Sequence, residues 1–90
     1  MAHTTKDKGK LLARVRRIAG QVTAIEKALT GEEDCSAVLQ LIASCRGAMG
    51  GLMSEVVEGH IRTHVMDEKN HAERIRAAQE LIDVLKTYLK

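Results

Sequence analysis

The sequence predicts an all-α protomer of three helices, the first two folded as an antiparallel hairpin and the third short. Three observations predict it. Apolar residues recur in alternating steps of four and three along three stretches, the spacing of a buried helical seam. No proline interrupts any of them. No stretch alternates apolar and polar residues with the two-residue period of a strand. The 90 residues make one small domain, residues 1–90, whose core must be aliphatic, because the chain has no Phe or Trp and a single Tyr, Tyr88. Such a chain is marginal alone, and helical association is a common remedy.

The elements follow in order. Residues 1–10 read as a mobile basic arm, with Thr4 and Thr5 as candidate helix caps. The first helix runs to about Leu29 along the stripe Leu11, Val15, Ile18, Val22, Ile25 and Leu29. Gly31 is placed to cap its C-terminus, and Glu32, Glu33 and Asp34 bring negative charge to the start of the next helix. The connection is short enough to force a hairpin. The second helix runs from Cys35 to about Val65–Met66 with the stripe Val38, Ile42, Cys45, Met49, Leu52 and Val56. A polar connection over residues 67–71 contains Asn70 as a possible cap. The third helix, from about Ala72 to Tyr88, is predicted to bury Ile75, Ala78, Ile82, Leu85 and Leu89.

The second helix carries the chemistry. His60 and His64 stand four apart, so both imidazoles share one face and can grip one ion. Cys35, a potential thiolate ligand, opens the same helix. Twenty-five residues of helix place it about 37 Å from His60, so one chain cannot bring both to one metal. Two copies running antiparallel can, and they would cross near Gly47, Ala48, Met49, Gly50 and Gly51. Each glycine costs a helix roughly 1 kcal/mol, and close approach of two backbones gives a reason for three. Reflection about a turn near residues 31–32 brings position 3 opposite position 60, so His3 reaches the histidine face of its own chain. The expected ligands are His3, His60, His64 and Cys35 of a second copy. Removal of Met1 would add the Ala2 amine as a further donor. A nitrogen-rich set with five or six donors suits Ni(II) or Co(II), with Zn(II) as a four-coordinate possibility and Cu(I) disfavoured.

Other signals have plainer explanations. Cys45 and Met49 lie on the buried seam and serve packing. Neither Met53 nor Met66 is assigned as a thioether ligand, and His71 is expected in solvent. Glu55 and Glu58 are solvated helix residues, and no positioned general base or substrate cleft suggests an enzyme.

Net charge is +2, but it is unevenly placed. Residues 1–17 carry Lys6, Lys8, Lys10, Arg14, Arg16 and Arg17 against Asp7, a balance of +5, which leaves −3 for the rest. That asymmetry points to a polyanion at the front end, nucleic acid above all. There is no helix-turn-helix signature and no interleaved aromatics, so phosphate contact and DNA shape fit better than base stacking. No apolar run approaches the roughly 20 residues of a membrane span, and the cysteine usage suits a reducing cytoplasm.

Several of these stretches carry a resemblance. Arg14–Gln21 (RVRRIAGQ), Cys35 with AVLQ at 37–40, Gly51–Val56 (GLMSEV), His60 and the closing Tyr88–Leu89–Lys90 make the chain similar, end to end, to the CsoR/RcnR family of small helical bacterial repressors. The resemblance implies a homotetramer, a dimer of dimers, that binds operator DNA without effector and releases it when effector binds. Lys10, Arg14, Arg16 and Arg17 would then contact phosphates. The copper branch has a second cysteine where this chain has His64. The nickel/cobalt branch matches His3, Cys35, His60 and His64 position by position, so a Ni(II)/Co(II)-responsive repressor of an efflux gene is the expected function. The formaldehyde branch couples an N-terminal proline amine to the cysteine. This chain has Ala2 there, and His64 stands at a position often acidic in that branch. A formaldehyde-responsive repressor using the N-terminal amine and Cys35 is therefore the alternative.

Overall fold

The computed structural model describes residues 7–89. Three α-helices account for most of them: α1 (Lys8–Thr30), α2 (Cys35–His60) and α3 (His71–Tyr88). A π-helical segment, Ile61–Met66, continues α2 and closes it. No strand forms among the described residues. The all-α, three-helix reading is correct. Thr4 and Thr5 lie outside the described residues. α1 opens at Lys8 behind Asp7, whose side chain makes no capping bond, so Lys8–Lys10, placed in the arm from the sequence, form its first turn. The chain divides into two compact units, one over 7–53 and one over 54–89, and each is described by itself.

The first unit is the hairpin. α1 ends in a Schellman arrangement: the Glu32 amide donates to Leu29 O at 3.2 Å and the Glu33 amide to Ala28 O at 3.0 Å. Gly31 sits at the cap with an ordinary φ of −81°, while the left-handed residue is Glu32, at φ 56°. Asp34 O then accepts from Ala37 and Val38 to begin α2. Two side-chain meetings set the antiparallel register. Gln21 Nε2 donates to Ser44 Oγ at 3.4 Å, and the Arg14 guanidinium lies against Gly51. Both pairs are centred between residues 32 and 33, one position beyond the mirror point inferred from sequence. Ile18, Ala28 and Val38 are the buried apolar residues of this unit.

The second unit packs α3 onto the π-segment and the end of α2. Asn70 caps α3 as expected, its Oδ1 accepting from the Glu73 amide at 3.0 Å. The expected burial on α3 is not what forms. Ile75, Ile82 and Leu89 are exposed, and Ala77 is the buried residue. The stripes of α1 and α2 divide in the same way: Val15, Val22 and Leu29 on α1, and Ile42 and Met49 on α2, remain exposed. A helix touched along one line by one neighbour covers a narrower strip than its apolar face offers.

The continuous helical stretch Cys35–Met66, 32 residues, is long and apolar enough to cross a membrane by the two measures of length and composition. Arg46 is its only charged residue before Glu55. The stretch holds no unbroken apolar run of that length, because Ser, Gln, Arg and Gly residues interrupt it. Long helices that pack against other helices meet the same two measures.

Candidate metal and nucleic-acid sites

His60 is the last residue of α2 and His64 lies in the π-segment; both are half-buried. Their ring centroids are 5.1 Å apart and the rings are tilted by 54°. Two imidazoles on one ion, each nitrogen about 2.1 Å from it, place their centroids roughly 4.5–5.3 Å apart for bond angles between octahedral and tetrahedral. The observed separation fits a shared ion. His60 Nε2 is 3.0 Å from Ala77 O. A carbonyl oxygen can only accept, so Nε2 carries the proton, and in the neutral ring Nδ1 holds the lone pair. A ring N–H given to a backbone carbonyl is the usual way a ligating histidine is oriented.

The pair opens onto a small cleft of about 160 Å³ shared with Glu68, Glu73, Arg76 and Glu80. These carboxylates are largely matched to a cation. Arg76 pairs with Glu73 and, at 3.5 Å, with Glu80. The hydrogen bond that Arg76 donates to Glu73, and then the charges of Glu73 and Glu80, hold its guanidinium yet more firmly protonated. Among the described residues, no three ligand-type side chains gather at one point. His60 and His64 are brought together. Cys35 is an exposed free thiol at the first residue of α2, in the other unit, and His3 and Ala2 lie outside the described residues. Cys45 is half-buried, as expected of a packing residue, and His71 is exposed at the first turn of α3.

Sequence reasoning missed the Ala77 carbonyl and Arg74. Arg74 Nε donates to Val65 O at 3.0 Å, in the π-segment. A backbone acceptor is invisible to any scan of residue types. The spacing of residues 73, 74, 77 and 80 behind the Asn70 cap was the available signal that α3 presents one face to this region.

The basic residues lie in the first unit. On α1, Lys10, Arg14 and Arg17 follow the i, i+4, i+7 spacing of one face, whereas Arg16 projects well away from it. Lys10, Arg16 and Arg17 are exposed and Arg14 is half-buried. A Cβ placed on Gly51 would come within 2.8 Å of Arg14 Nη1. That glycine's close neighbour is therefore a side chain of its own protomer, while Gly47 and Gly50 have open space beside them.

Comparison with known proteins gives a consistent result. Residues 7–87 match the family model described as metal-sensitive transcriptional repressor. Across the full length of both chains, the sequence is 50% identical to an uncharacterized protein from the bioA 5′ region of Serratia marcescens. It is 44% identical, again over the whole of both chains, to the transcriptional repressor RcnR of Salmonella paratyphi B. A solved structure of the formaldehyde-responsive regulator FrmR from Salmonella enterica serovar Typhimurium, a variant with histidine in place of a glutamate, superposes with a TM-score of 0.86. It shares 45% identity, over 92% of this chain and 94% of that one.

Proposed function

The chain belongs to the metal-sensitive transcriptional repressor family, and from that premise we propose that it represses an efflux gene and releases the operator on binding Ni(II) or Co(II). The family is one of repressors, not enzymes. The observation that carries the metal reading is the His60/His64 pair, at a separation suited to one ion, with His60 oriented through Ala77 O. His3 and Cys35 of a second copy complete the set, with the Ala2 amine available once Met1 is removed. Twenty-five residues of helix separate Cys35 from His60 in sequence, and on that argument the proposed thiolate is supplied by another protomer. Association into dimers and a dimer of dimers accords with the exposed apolar residues of all three helices. The working place of such a repressor is the cytoplasm. One thiolate among several nitrogens favours Ni(II) and Co(II), with Zn(II) a weaker effector.

Lys10, Arg14 and Arg17 provide the phosphate-contacting stripe, with Arg16 beside it. Metal can release DNA only by binding the DNA-incompetent form more tightly, and DNA must weaken metal binding by the same factor. The direct test is operator titration with and without each ion. Release by Ni(II) or Co(II) supports the proposal, and unchanged operator affinity at saturating metal eliminates it. X-ray absorption of the Co(II) form should show nitrogen ligands with one sulfur, and Cys35→Ser should remove the sulfur.

A second reading is favoured by the likeness to the formaldehyde-responsive regulator. Formaldehyde would condense with the Ala2 amine and a Cys35 thiol, forming one methylene bridge and releasing one water. Cys35 is exposed, as that reaction needs. Intact-protein mass spectrometry decides between the readings: a one-carbon adduct joining residues 2 and 35 supports the formaldehyde effector, and unmodified protein after treatment removes it.

A further inference from the structure

α3 holds the histidine-bearing segment at two points. Ala77 O accepts from His60 Nε2 at 3.0 Å, and Arg74 Nε donates to Val65 O, also at 3.0 Å. Arg74 and Ala77 stand three apart on one helix, so a single face reaches both places. One bond fixes the residue just before the π-segment. The other grips the residue directly after His64. We propose that Arg74 is a positioning residue for the His60/His64 pair: its guanidinium keeps the π-segment wound so that the His64 ring stands against that of His60. The proposal rests on the reading that these two imidazoles bind metal.

The need for such a support follows from the backbone. A helix end leaves its last carbonyls without amide partners. Here Arg62 O takes the Asp67 amide at 2.9 Å, a five-residue closure that widens the turn. π-turns are rare and are found mostly as single turns within α-helices, frequently at functional sites. Val65 O could continue the helix only by accepting from an amide four or five residues on. The Asn70 amide is already given to Glu68 Oε1 at 3.1 Å, and Asn70 itself is extended, at φ −79° and ψ 118°, to begin α3. A charge-assisted bond from Arg74 serves that carbonyl instead. The Asn70 cap sets the phase, because the Arg74 amide donates to Asn70 O in the first bond of α3. The neighbouring arginines have other work: Arg62 pairs with Glu58, and Arg76 with Glu73 and Glu80. The resulting chain of causes runs from cap to arginine to π-turn to ring placement.

The test compares Arg74→Met, which keeps the aliphatic stem and removes the donor, with Arg74→Lys, which keeps a charged donor. Two quantities are read on the full-length protein: hydrogen exchange of the Asp67 amide in the metal-free form, and the Kd for Ni(II). Arg74→Met should speed exchange at Asp67 and raise the Kd about tenfold, the lower end of the effect of losing an outer-shell partner. Arg74→Lys should recover most of both. Unchanged exchange in Arg74→Met overturns the proposal, and so does faster exchange with an unchanged Kd. His64→Ala separates the two levels. If it leaves Ni(II) affinity unaltered, the metal reading has failed and takes the positioning role with it. If it weakens binding while Arg74→Met does not, the positioning role alone has failed. Circular dichroism shows whether α3 survives in Arg74→Met; should it melt, Arg74→Leu, a good helix former that also lacks a donor, carries the same comparison.

Discussion

At the scale of single residues, the turn between α1 and α2 holds the clearest departure from expectation. Gly31 was the natural candidate for the left-handed position, yet the Schellman bonds place Glu32 there, at φ 56°. A residue with a Cβ costs about 1–2 kcal/mol in that conformation. Glu32→Gly should therefore raise stability by about 0.5–1 kcal/mol, part of the relief being lost to the freer unfolded chain. Urea unfolding of the variant would check this, and a destabilised variant would contradict it. The sequence could not discriminate between the two neighbours, since the phase of the last turn depends on which carbonyl the returning amides reach. Asn70 was legible for the opposite reason. An asparagine three residues before a glutamate, at the edge of an apolar period, has one favourable use, and the Glu73 amide at 3.0 Å shows it. Asn70→Ala should cost about 1 kcal/mol, read in the same unfolding experiment. Gln21 is a further residue that sequence patterning did not mark. Its Nε2 reaches Ser44 while its buried Oε1 has no hydrogen-bond partner. Exchanging the amide ends would let the serine hydroxyl donate to that oxygen.

At the scale of elements, the four basic residues of α1 proposed to meet DNA are unequal. Lys10, Arg14 and Arg17 line one face and Arg16 another, so a duplex laid along the stripe meets three of them. Removing one phosphate-binding charge should reduce the slope of log affinity against log salt by about one. Arg17→Ala and Arg14→Ala should each show that reduction, and Arg16→Ala a smaller one, in operator titrations over a range of salt. Equal effects at all four positions would mean that the DNA reaches both faces. The extents of the three helices could be read from period and caps because those signals are local. The π-helical character of residues 61–66 could not. His60 and His64 have the same spacing in an α-helix, and the wider turn arises from what α3 offers to Val65 O, a long-range cause with no local trace.

At the scale of the whole molecule, the buried apolar set among the described residues is short: Ile18, Ala28, Val38 and Ala77. Val22 is 52% exposed, Leu29 61% and Leu89 73%. Here the sequence indicated apolar stripes correctly and their burial incorrectly. Periodicity shows which face seeks cover, and it does not show whether the cover comes from the same chain. The proposed ligand set has the same division: the His60/His64 pair was readable from its spacing within one element, whereas Cys35 and His3 were tied to it only by arguments about other copies and the arm. On the proposal that copies associate through these stripes, Ile42→Glu should lower the mass seen in sedimentation and weaken operator binding with it, since a buried carboxylate has no partner there. An unchanged mass would place the interface elsewhere. On the same proposal, so thin an interior makes folding a matter of numbers of molecules. If the stripes are covered only by sister chains, dilution unfolds what heat or urea would otherwise unfold. A cell could then set the threshold of its switch by how many copies it makes, with no change to the site that meets the signal.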